Sequence, residues 1–118
     1  MKQYTQIEIN NTIILIESTI INCQKTQLKF KEGSSQHTLL KNRIKALQIS
    51  KTLILNNNHQ YTQKEIENAI PPITSIIHKS QKALSHTKQG TGTYTRLTKI
   101  INAMIIALDF IQEKKLPK

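Results

Sequence analysis

Four histidines, His37, His59, His78 and His86, and one cysteine, Cys23, are the side chains best suited to holding a metal or to starting a covalent reaction. A structural zinc site brings several such ligands together at short spacings such as Cys-x2-4-Cys or His-x3-5-His. None of the five has a partner at such a spacing. Serine, histidine and acidic side chains occur, but no local motif sets a nucleophile beside a base. Gly90-Thr91-Gly92 is only superficially like a phosphate loop, because no strand pattern precedes it and no Gly-Lys-Ser/Thr follows. The expectation is a chain with no metal, no cofactor and no catalytic residue, and so not an enzyme.

Positive charge is the other chemical resource. The 118 residues carry 17 Lys and Arg against 7 acids, a formal net charge of +10. Such an excess favours anionic partners: nucleic acid, an acidic protein or a lipid surface. Part of it is explained more simply by composition, since Lys, Ile and Asn are all abundant, as in chains written in A+T-rich codons. Seven cations, Lys29, Lys31, Lys41, Arg43, Lys88, Arg96 and Lys99, stand near two glycines and are the candidates for anion or nucleic-acid binding.

What positions them is legible as a repeat. Residues 4–60 laid ungapped on residues 61–117, an offset of 57, give 20 identities, among them Tyr4/Tyr61, Thr5/Thr62, Glu8/Glu65, Ile16/Ile73, Gly33/Gly90 and Ile54/Ile111. The reading is a tandem duplication within one domain, 1–118. In each unit Thr5 or Thr62 caps a helix, with Glu8 or Glu65 reaching back three residues, and Tyr4 or Tyr61 is placed to pack on Ile9 or Ile66. Ile9, Ile13, Ile16 and Ile20, matched by Ile66, Ile70, Ile73 and Ile77, make an isoleucine seam on one helical face.

Each first helix, roughly 35 Å long at about 1.5 Å per residue, is expected to collect lysines and to stop at Gly33 or Gly90. SSQHT and TGTYT then supply hydroxyls to cap a second helix. That helix carries Leu40, Ile44, Leu47 and Ile54, or Leu97, Ile101, Met104, Leu108 and Ile111. Two αα-hairpins joined through the polar loop NNNHQ make an up-down-up-down four-helix bundle, with a two-unit helical solenoid as the alternative. The third helix should be kinked at Pro71-Pro72, bending near Ile70, because two N–H donors are lost where the first unit has Ile14 and Leu15.

This topology puts both glycine turns at one end. Lys29, Lys31, His37, Lys41 and Arg43 gather there with His86, Lys88, Arg96 and Lys99, and Glu8, Glu65, Glu67, Asp109 and Glu113 fall at the other end. Lysine in a last helical turn is also explained by the helix dipole alone. With no Trp and only Tyr94 near the basic end, any nucleic-acid binding would act through phosphates and not through base stacking.

No apolar run approaches the roughly 20 residues of a membrane helix, and no leader pattern opens the chain. A lone cysteine agrees with a reducing compartment, so the expected location is the cytoplasm. The functional expectation is a protein-interaction module, with self-association as one form of it. The alternative is a phosphate-directed nucleic-acid binder. Leu39, Leu47, Leu53 and Phe110 are candidates for a partly exposed second stripe, although the core is the more natural place for each.

Overall fold

The structure, a computed structural model, describes residues 3–55 and 58–114, and every regular element in that range is helical. Helix α1 spans Gln6–Gln27, α2 Ser35–Leu55, α3 Gln63–Asn68, α4 Ile70–Ser85 and α5 Gly92–Lys114. With α3 and α4 taken as one interrupted arm, four helical arms pack as a four-helix bundle. Asn56 and Asn57 of the NNNHQ loop, and Pro117 at the end of the second unit, lie outside the described residues.

The helix starts follow from capping chemistry. At Thr5 the backbone N–H donates to Glu8 Oε1 at 3.0 Å, and Glu8 N–H donates to Thr5 Oγ1 at 3.1 Å. Thr62 and Glu65 repeat both bonds at the same distances, and the two capping residues share one extended conformation, φ −70°, ψ 160° and φ −72°, ψ 161°. The second helix of each unit opens the same way. Ser34 Oγ accepts from His37 N–H and Thr91 Oγ accepts from Tyr94 N–H, each at 3.2 Å. Gly33 at φ 87° and Gly90 at φ 90° take the left-handed conformation that the turns require.

The turns are longer than the sequence pattern suggests. Helix α1 ends at Gln27 and α4 at Ser85, well before the glycines. Lys29, Lys31 and Lys88 therefore sit in the connections, and of the lysines leading up to the glycines Lys25 and Lys82 occupy last helical turns. Carbonyls of Thr26 and Gln27 accept from Lys29 and Phe30 N–H groups as the α1 chain tightens into the turn.

The bundle is a flattened rhomb about 24 Å thick, two helix diameters. Helices α2 and α5 touch across its short diagonal, while α1 packs only on α2 and α5 and does not touch α3 or α4. The core is uneven. Helices α2 and α5 bury Leu40, Leu47, Ile49, Leu53, Leu97, Met104 and Ile111 among others, whereas α1 buries only Thr12, Ile16 and Cys23. Of the expected isoleucine seams, Ile16, Ile66, Ile73 and Ile77 are buried, and Ile9, Ile13, Ile20 and Ile70 are half-buried at the edge. The third arm, at the opposite corner, buries Ile66, Ala69, Ile73, Ile76, Ile77 and Ser80, so α1 is the least enclosed of the four arms.

The third arm is interrupted at Ala69, next to the expected bend at Ile70. Pro71 and Pro72 then fall in the first turn of α4, where missing N–H donors cost least. The Ile73 N–H reaches the Ala69 carbonyl at 3.4 Å, so the chain resumes the helix at once.

Candidate functional site

Side-chain exposure separates the two halves of the chain. Among the described residues eight large apolar side chains are exposed, and seven precede residue 56: Ile7, Ile14, Ile21, Leu28, Phe30, Leu39 and Leu55; the eighth is Ile105. Along α1 they form one line, Ile7 (73% exposed), Ile14 (64%), Ile21 (49%) and Leu28 at its C-terminal cap (87%). A seven-residue step falls about 20° short of two full helical turns, so all four share the face turned away from the core. Asn10, Asn11, Glu17, Ser18, Gln24 and Lys25 flank the line and keep it one residue wide.

At the 57-residue offset the counterparts of those seven residues are Lys64, Pro71, His78, Ser85, Thr87, Arg96 and Gln112. Not one is a large apolar side chain. The same helix position is thus oily in α1 and polar or proline in α3 and α4, while the buried counterparts Ile16 and Ile73 are both fully enclosed.

Two of the grooves between the arms occupy equivalent positions. A groove of about 580 Å³ between α1 and α5 is lined by Glu8, Asn11, Thr12, Ile14, Leu15, Ala103 and Ile106. One of about 560 Å³ between α2 and the third arm is lined by their offset counterparts Glu65, Asn68, Ala69, Pro71, Pro72, Ala46 and Ile49. The second is crossed by an ion pair, Lys45 Nζ to Glu65 Oε2 at 3.0 Å. The Glu65 carboxyl is held below the usual range, first by the Thr62 backbone N–H and then by Lys45. At the mouth of the first groove the Tyr4 hydroxyl donates to Asp109, and its ring stacks on Phe110 with centroids 6.4 Å apart. Burial, then Asp109, pushes the Tyr4 hydroxyl up to about 12, so it stays protonated.

The seven candidate cations divide by place. Lys29, Lys31 and Lys88 are exposed in the two connections, Arg96 is exposed in the first turns of α5, and Lys41 is exposed further along α2. Arg43 is half-buried and donates from Nη2 to Ser75 Oγ at 3.2 Å, with Nε enclosed and no acceptor among the described residues. Lys99 lines the α1–α5 groove beside Asn102. The first group shares the turn end; Arg43 and Lys99 serve other surroundings. Of the four residues expected in a second stripe, Leu47 and Leu53 are buried and Phe110 packs on the core, leaving Leu39 exposed. The stripe that is exposed lies on α1 instead, and its seven-residue spacing was the signal that could have found it.

Charge is segregated along the bundle axis. Residues 18–44 and 75–102, the half of each arm nearest the turns, hold ten Lys and Arg against one acid, Glu32, a net +9. The rest of the chain holds seven Lys against six acids, a net +1.

Among the described residues no group of three His, Cys, Asp or Glu could hold a metal ion, and no helix is long and apolar enough to cross a membrane. Cys23 is buried, and its thiol is raised by that burial, partly offset by Arg43. Compared with protein-family models, characterised proteins and solved structures, the chain matches none.

Proposed function

We propose that the protein is a non-enzymatic interaction module, built from two tandem copies of one αα-hairpin, that pairs through α1 with α1 of a second copy. The observation that carries this reading is the contrast at equivalent positions. If the fold needed apolar side chains at Ile7, Ile14, Ile21 and Leu28, the second hairpin would need them too, yet it has Lys64, Pro71, His78 and Ser85. An exposed apolar line that packing does not require is explained by a partner.

The charge distribution selects the partner's direction. Two parallel α1 helices would bring two +9 ends together, whereas an antiparallel pair sets the basic end of one copy beside the near-neutral end of the other. Centred stripe on stripe, the antiparallel pair opposes Ile7 to Leu28 and Ile14 to Ile21, the isologous pattern of a twofold dimer.

The pair is weak. Eight side chains at about 1.5 kcal/mol each give about 12 kcal/mol of gross burial, against about 4–15 kcal/mol for association. At most about 8 kcal/mol remains, a dissociation constant no tighter than about 1 μM.

The test uses the protein's own alternative residues. Ile7→Lys, Ile21→His and Leu28→Ser together give α1 the second hairpin's surface. Sedimentation equilibrium should show concentration-dependent dimerisation in the parent and a monomer in the triple variant. A parent that stays monomeric at about 1 mM defeats the reading.

A further inference from the structure

We infer that the turn end is a binding site for the phosphate backbone of duplex nucleic acid, independent of the α1 stripe. The first ground is the charge split, +9 in the turn half against +1 in the rest of the chain. Lysine itself is spread over both halves, but six of the seven acids lie outside the turn half, so its ten Lys and Arg stand against Glu32 alone. The second ground is where the cations sit. The helix dipole accounts for Lys25 and Lys82 in last helical turns, but Lys29, Lys31 and Lys88 lie beyond the helix ends, in connections that need no lysine to form.

Placement then decides which residues act. Lys29, Lys31, Lys88 and Arg96 are exposed, and among the described residues none of them makes an ion pair, so each is available to a ligand. The second turn adds the exposed Gly92 and Thr93. Duplex DNA presents one phosphate charge per about 1.7 Å of axis, and each neutralised phosphate releases counterions. The turn end offers no exposed aromatic platform beyond Phe30, with Tyr94 half-buried, so backbone charge and not stacking is what it can read.

The experiment measures binding of a short labelled DNA duplex, by fluorescence anisotropy across a salt series, to the full-length protein and two charge-matched variants. One variant carries Lys29→Ala, Lys31→Ala, Lys88→Ala and Arg96→Ala. The other removes four cations from the opposite half: Lys45→Ala, Lys51→Ala, Lys64→Ala and Lys114→Ala. Thermal melts confirm that both are folded.

At about 0.15 M salt the turn variant should lose at least about tenfold in affinity, and its log–log salt slope should flatten by about 0.9 for each phosphate it no longer neutralises. The opposite-half variant should lose less than about threefold, and a single strand of equal length should bind more weakly than the duplex. Equal losses in the two variants would assign the binding to net charge and overturn the site. So would no duplex binding at about 0.15 M salt, or binding to anionic phospholipid vesicles without binding to duplex.

Discussion

Helices α1 and α4 hold equivalent corners of the bundle and differ where it matters. Both stand at the far ends of the rhomb's long diagonal, and both expose one broad face. In α1 that face carries Ile7, Ile14 and Ile21, continued by Leu28; the third arm carries Lys64, Pro71, His78 and Ser85 there. Inward, the two are close copies, with Ile16 and Ile73 both fully buried. The lesson is that packing fixes the inner face of each arm and leaves the outer face free to specialise. One half of this molecule carries an apolar outer line, and the other carries polar side chains and proline there.

The shared inner face gives the largest predicted effect. Ile16→Ala and Ile73→Ala should each cost about 2–5 kcal/mol in chemical denaturation, and the two losses should agree within about 1 kcal/mol. A large disparity would break the equivalence of the halves. Reversing the outer-face difference comes next. Lys64→Ile, His78→Ile and Ser85→Leu would give the second hairpin a stripe of its own, and light scattering should then report assemblies larger than a dimer.

A smaller effect separates the two capping tyrosines. Tyr4 donates to Asp109, whereas the residue equivalent to Asp109 in the first unit is Thr52, and Tyr61 instead stacks on His59 with centroids 6.0 Å apart. Tyr4→Phe should cost about 1 kcal/mol. Because the folded-state value is raised to about 12 from 10.0, the hydroxyl's contribution is fully present below pH 10 and is lost as pH rises toward 12. Urea titrations at pH 8 and pH 11 should show this alkaline loss in the parent and little of it in the variant.

The smallest effect belongs to the prolines. Pro71→Ile with Pro72→Leu restores the first unit's residues and two N–H donors, at the expense of the entropy that proline removes from the unfolded chain. Stability should change by less than about 1 kcal/mol. A greater loss would mean that the break at Ala69 is needed for packing.

Much of the architecture was legible because it is local. Thr5-x-x-Glu8 and Thr62-x-x-Glu65 specify helix starts within four residues, Gly33 and Gly90 mark the turns, and Pro71-Pro72 marks the break beside Ala69. The turn lengths were less so, since nothing local shows that α1 stops at Gln27 and leaves Lys29 and Lys31 in the connection. Which isoleucines are enclosed depends on the rhombic packing, a non-local property. Ile9 and Ile16 lie on the same stripe, yet only Ile16 lies deep enough to be covered. The same non-locality took Arg43 out of the surface set, because Ser75 lies on another arm.

Self-crosslinking tests the α1 pairing most directly. In a Cys23→Ser background, which borrows the second unit's Ser80, a cysteine is introduced by Ser18→Cys or by Asn11→Cys, both exposed and on the same flank of the stripe. In the antiparallel pair Ser18 faces its own mate across the twofold axis, while Asn11 faces the region of Lys25. Mild oxidation should therefore crosslink the Ser18→Cys protein to a dimer and leave the Asn11→Cys protein monomeric. Crosslinking of the Asn11→Cys protein would contradict that register, and crosslinking of neither would contradict the antiparallel α1 pair.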